Sequence, residues 1–131
     1  MSHGLITKEF ADGVYSFRLA YGQWLELQEA LNCGPLELYV NLLQRKWRVQ
    51  HLREIVRIGL IGGGTTPPDA LRLVKRYVEE RPIIESVQLA LEIVAASLTL
   101  PEGAEVPAGE AEAAKTDTAG STLPPSTGTL Q

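Results

Sequence analysis

The run Gly62-Gly63-Gly64-Thr65-Thr66 is the first place to look for chemistry. Glycine-rich turns ahead of a helix can cradle phosphate with backbone N–H groups. A phosphate loop, however, needs a strand before it and a Gly-x-x-x-x-Gly-Lys-Ser/Thr spacing within it. Here a helical pattern precedes the glycines, and the next lysine is Lys75. A dinucleotide fingerprint needs a strand–helix–strand unit, which is missing too. A helix stop followed by a capped helix start accounts for every residue from Gly62 to Asp69. The glycines are therefore expected to end a helix, with at least one at positive φ, and no cofactor is expected.

Other chemistry-bearing residues are sparse. His3 lies near one end, and His51 falls at a helix start with no second histidine or cysteine cluster in reach, so no metal site is expected. Cys33 is the only cysteine. It excludes an intramolecular disulfide, and a nucleophilic role would need an adjacent base that the sequence does not supply. The pairs Glu26/Glu29 and Glu79/Glu80 are of the kind that exposed helix faces carry. Trp24 sits on an apolar face and is expected in the core, while Trp47 accompanies Arg45, Lys46 and Arg48 in one short basic cluster. With no catalytic set, metal or cofactor in view, the chain reads as a non-enzyme.

Charge supports a binding role away from nucleic acid. Residues 1–98 hold 11 basic and 11 acidic side chains, so the net charge of -4 belongs to residues 99–131, where five acids face Lys115 alone. A neutral body with an acidic end neutralises phosphates poorly. No charged-then-apolar leader and no bilayer-length apolar run is present, so a cytoplasmic protein without membrane contact is expected.

The elements follow from periodicity. Residues 5–10 and 14–19 flank Ala11-Asp12-Gly13, which predicts a hairpin with glycine supplying positive φ and with Tyr15, Phe17 and Leu19 inward. Trp24, Leu27, Gln28 and Leu31 mark a helix that stops at Asn32-Cys33-Gly34. Pro35 opens another, with Leu36, Tyr39, Val40 and Leu43 expected inward. Leu52, Ile55, Val56, Gly59 and Leu60 predict a third helix, whose wet side carries Arg53, Glu54 and Arg57. Thr66, Pro67 and Asp69 read as N-cap, first position and capping acid of a fourth, with Ala70, Leu71, Val74, Tyr77 and Val78 inward. The last helix starts after Arg81-Pro82 and carries Ile84, Val87, Leu91, Val94 and Leu98 as its core stripe. Ile83, Leu89, Ala90 and Ile93 remain as surplus apolar surface and are the candidate partner-binding residues, unless this helix is simply central.

The expected fold is α+β, an N-terminal β-hairpin packed on about five α-helices, over residues 1–98. Residues 99–131 lack aromatics and apolar periodicity and are expected to be a disordered acidic tail.

Two stretches carry a resemblance. "FRLAYGQWLELQEALNCGPLELYVNLL" and "HLREIVRIGLIGGGTTPPDALRLVKRYVEERPIIESVQLALEIVAASL" resemble the small tail-assembly proteins of gene transfer agents and related prophages. The most specific part is Gly59-Leu60-Ile61-Gly62-Gly63-Gly64 with Tyr77-Val78 and Arg81-Pro82. The resemblance implies a tail-assembly chaperone that binds the tape-measure protein, keeps its apolar helices soluble and helps tail-tube subunits polymerise, without remaining in the finished particle. A homo-oligomer is compatible with it. The same group is sometimes labelled a tail-tube family, and a structural tube subunit is the alternative. Tube subunits are β-rich, whereas this chain offers one hairpin.

Overall fold

The computed structural model describes residues 3–99; the expected disordered segment lies, apart from Thr99, outside the described residues. Two antiparallel strands, β1 (Ile6–Phe10) and β2 (Gly13–Phe17), form the hairpin. Phe10 pairs with Gly13, so the loop is Ala11-Asp12. The positive φ falls on Ala11, at 58°, and not on the glycine. Asp12 then accepts a 2.6 Å hydrogen bond from the Tyr15 hydroxyl, which closes the turn. Phe17 and Leu19 are buried as their alternation requires, and Tyr15 is half-buried. Phe10 meets the rings of Tyr15, Phe17 and Tyr77 edge-on at 6.1, 5.8 and 6.2 Å, which ties the hairpin to the helical body.

Five α-helices follow: α1 (Tyr21–Leu31), α2 (Pro35–Leu43), α3 (Val49–Gly62), α4 (Pro67–Val74) and α5 (Val87–Leu98). Their ends sit where local chemistry puts them. Asn32 takes a left-handed φ of 55° after α1, and Pro35 occupies the first turn of α2. Arg45, at φ 60°, lets Lys46 N–H reach back to Asn41 C=O at 2.8 Å, so part of the basic cluster serves as a helix stop. Thr66 Oγ1 accepts from Asp69 N–H, the expected cap of α4. Beyond α4 the chain widens into a π-helical turn, Lys75–Glu79, and a 3-10 turn, Ile83–Ser86, precedes α5.

Helix α3 is the centre. It packs against β2, α1, α4 and α5, and Leu52, Ile55, Val56, Ile58, Gly59 and Leu60 are all buried on it. Its expected wet side is corrected: Glu54 is buried, because Arg53 and Arg57 fold over its carboxylate. The pairs run on from Arg57 to Glu26 of α1 and from Arg53 to Glu79 of the π-turn, so one chain of charges staples three elements. Burial by itself would raise the Glu54 carboxyl. The hydrogen bonds and charges of Arg57 and Arg53 outweigh it and hold the group below its ordinary value.

The triple glycine ends α3 as expected. Gly64 stands at φ 115° and lets Thr65 N–H bond to Leu60 C=O at 2.9 Å. Gly62 and Gly63 have a different purpose. A Cβ on Gly62 would lie 2.0 Å from the carbonyl oxygen of Arg18, and one on Gly63 would lie 2.0 Å from that of Ser16. The end of α3 is pressed directly onto the β2 backbone, and Arg18 N–H donates to Gly59 C=O at 3.0 Å across the same seam.

Candidate functional site

The residues singled out for chemistry are dispersed or already occupied. Gly62 and Gly63 offer no room for phosphate, since backbone carbonyls fill the space against them. Cys33, Glu37 and His51 do line one cleft of about 250 Å³. Burial, with Glu37 close by, pushes the Cys33 thiol up and keeps it protonated, the opposite of an activated nucleophile. His51 Nδ1 accepts from Arg48 N–H at 3.2 Å, and burial together with the Arg48 charge pulls its imidazole down. That histidine caps the start of α3 and has no nitrogen aimed at the thiol by any hydrogen bond among the described residues. No group of three or more His, Cys, Asp or Glu able to hold a metal occurs among the described residues, and none of the described helices is long and apolar enough to cross a membrane.

The informative surface is apolar, and its location differs from expectation. On α5 the buried set is Ala90, Ile93, Val94 and Ser97. Ala90 and Ile93, expected as surplus surface, are wholly inside, which corrects their assignment as partner contacts. Ile93 lies over Gly59, where a Cβ would come within 3.3 Å of its Cγ2; the glycine makes the pocket that Ile93 fills. Conversely, Ile84 and Leu98 of the expected core stripe are exposed. The 3-10 turn at residues 83–86 changes the pitch ahead of α5, so Ile84 falls out of phase with the buried face. Helix α5 is apolar on most sides because it packs between α2 and α3.

Ile83 and Leu89 stay half-buried, each in the wall of a cleft. Ile83, with Val49 and Val78, floors one of about 280 Å³, edged by the ion pair Arg53–Glu79 and by Arg81, which pairs with Glu85. Leu89 borders another of about 330 Å³ with Phe10 and Tyr77, and Arg81 belongs to both. The first is apolar at its base and charged at its rim. Its volume lies at the lower edge of the roughly 300–1,000 Å³ of drug-sized ligand sites.

Helix α2 carries what sequence reasoning missed. Leu38 and Leu42 are its buried residues, while Leu36, Val40 and Leu43, all expected inward, are 68%, 37% and 53% exposed. They recur at steps of four and three, so they form one outward apolar line. The signal was the composition: PLELYVNLL is apolar on both faces, which a helix covered on one side does not require.

One family model matches residues 3–99, and its description is phage tail tube protein, GTA-gp10. No curated protein and no solved structure matches the chain.

Proposed function

We propose that this chain, which belongs to the phage tail tube protein, GTA-gp10 family and so has a tail-related role, acts as a non-enzymatic assembly chaperone. Its client is the tape-measure protein, whose apolar helices it keeps soluble while tail-tube subunits polymerise. The family match over residues 3–99 carries the tail-related part. The choice of chaperone over wall subunit rests on architecture: the described sheet has two strands, and the remainder is helical. Tube subunits are β-rich, and a two-stranded hairpin packed on helices supplies little of that.

Ile83, Val49 and Val78 are the proposed seat for the client, with Ile84 exposed beside them. An apolar side chain from an amphipathic helix would enter the cleft while polar residues of that helix meet the Arg53–Glu79 pair and Arg81 at its rim. The site of action is the cytoplasm of the producing cell.

Two measurements test this. Purified particles should lack the protein, whereas a tube subunit would be present in many copies. Co-purification with the tape-measure protein should succeed with wild type and fail for Ile83→Glu at unchanged helicity. Stoichiometric presence in particles, or capture unaffected by Ile83→Glu, would overturn the chaperone reading or its site respectively.

A further inference from the structure

The line Leu36–Val40–Leu43 on α2 has a property the cleft at Ile83 lacks: it is its own complement. Turning the helix end over end about its midpoint between Tyr39 and Val40 exchanges the places of Leu36 and Leu43 and keeps Val40 within about 1 Å of the axis along the helix. Charge is arranged to match. Glu37 stands at the N-terminal end of the line, and Arg45 and Lys46 stand just beyond its C-terminal end, all exposed. We infer that a second copy of this chain seats on α2, antiparallel about a two-fold axis that passes between Tyr39 and Val40. That orientation sets Glu37 of each copy toward Arg45 of the other and opposes the helix dipoles favourably. A parallel arrangement would set acid against acid and base against base.

The size of the face fixes the strength. A nine-residue helix is about 13–14 Å long, and three apolar side chains from each copy fall short of the roughly 1,200 Å² that stable interfaces bury. The pairing is therefore weak and concentration-dependent. The second copy, unlike any other occupant, has both its apolar spacing and its charges defined by this sequence.

Sedimentation velocity on the full chain, from about 5 µM to 500 µM, reads the result directly. Wild type should shift from monomer to dimer across that range. Val40→Glu and Leu36→Glu should both remain monomeric throughout, the latter with its melting curve unchanged because Leu36 is 68% exposed. Glu37→Arg and Arg45→Glu should each weaken dimerisation by about two- to fivefold, and the double swap should recover it, since opposite charges again face each other across the axis. A wild type that stays monomeric at the highest concentration overturns the inference. So does a Val40→Glu or Leu36→Glu dimer, or a double swap weaker than either single variant. A face that binds a client helix through Val40 while wild type alone stays monomeric also overturns it and reassigns α2 to the client.

Discussion

Replacing Gly63 with alanine would place a methyl carbon 2.0 Å from the Ser16 carbonyl oxygen and 2.3 Å from its carbonyl carbon. Side-chain carbons essentially never come within 3.0 Å, so the end of α3 and β2 must part by at least 1.0 Å. Neither partner is a flexible side-chain tip; both are backbone within hydrogen-bonded elements. Separation would stretch the Arg18–Gly59 bond of 3.0 Å and unseat Phe17 and Leu19, which are wholly buried beside it. Overpacking costs about 1–3 kcal/mol where side chains can give way, and a rigid backbone contact lies at or above the top of that range. Loss of a backbone hydrogen bond adds about 1 kcal/mol. The expected cost is therefore about 3–4 kcal/mol for Gly63→Ala, and the same for Gly62→Ala, whose Cβ would lie 2.0 Å from the Arg18 carbonyl. Two glycines nearby are internal controls. Gly64→Ala meets no atom within 4 Å and suffers only its φ of 115°, a strain of about 1–3 kcal/mol. Gly59→Ala gains about 1 kcal/mol of helix propensity against a 3.3 Å contact with the Ile93 side chain, so it should stay within about 1 kcal/mol of wild type. Urea denaturation followed by circular dichroism ranks the four through their midpoints at constant slope. If Gly62→Ala and Gly63→Ala prove no worse than Gly64→Ala, the glycines are a helix stop and nothing more.

Three further outcomes follow from the interior. Glu54→Gln should destabilise by about 1–3 kcal/mol at pH 7, and since the folded carboxyl titrates below its ordinary value, that difference should fade as pH drops below about 4.5; a difference constant down to pH 2 would refute the pairing. His51 is depressed in the folded chain, so the unfolded chain takes up its proton first and stability should decline as pH falls below about 6.5, a slope that His51→Gln flattens in denaturation curves at pH 7 and 5.5. Ile93→Glu should abolish cooperative melting while Ile84→Glu should leave it near wild type, and an intact Ile93→Glu protein would contradict the placement of α5.

The order of elements was legible because punctuation in this sequence is local: Asn32, Pro35, Thr66 and Gly64 each act within a few residues of where they stand. Which face of α2 and α5 turns inward was not. Both helices are apolar on more than one side, so periodicity admits several phases, and the neighbour decides between them. On α5 Ile93 packs over Gly59, where the absence of a side chain leaves it room. The burial of Glu54 was legible only in part: Arg53 and Arg57, which cover its carboxylate, stand beside it in sequence, but Glu79 and Glu26, which hold those arginines, come from other elements. Of the candidate site, Ile83 was reachable as surplus apolar surface, whereas Leu36, Val40 and Leu43 were assigned to the interior they resemble.

His3 and Ser97 are joined by a 2.9 Å hydrogen bond, and a Cβ on Gly4 would lie 3.2 Å from the Ser97 backbone. The two ends of the described residues thus come close together, and the body they bound, residues 3–99, can be rewired there. A short glycine–serine bridge from Thr99 to His3 should allow new ends to be opened in the exposed bend at Arg45 and Lys46. Such a permutant would keep every helix while moving any fused reporter from the hairpin side to the α2–α3 corner.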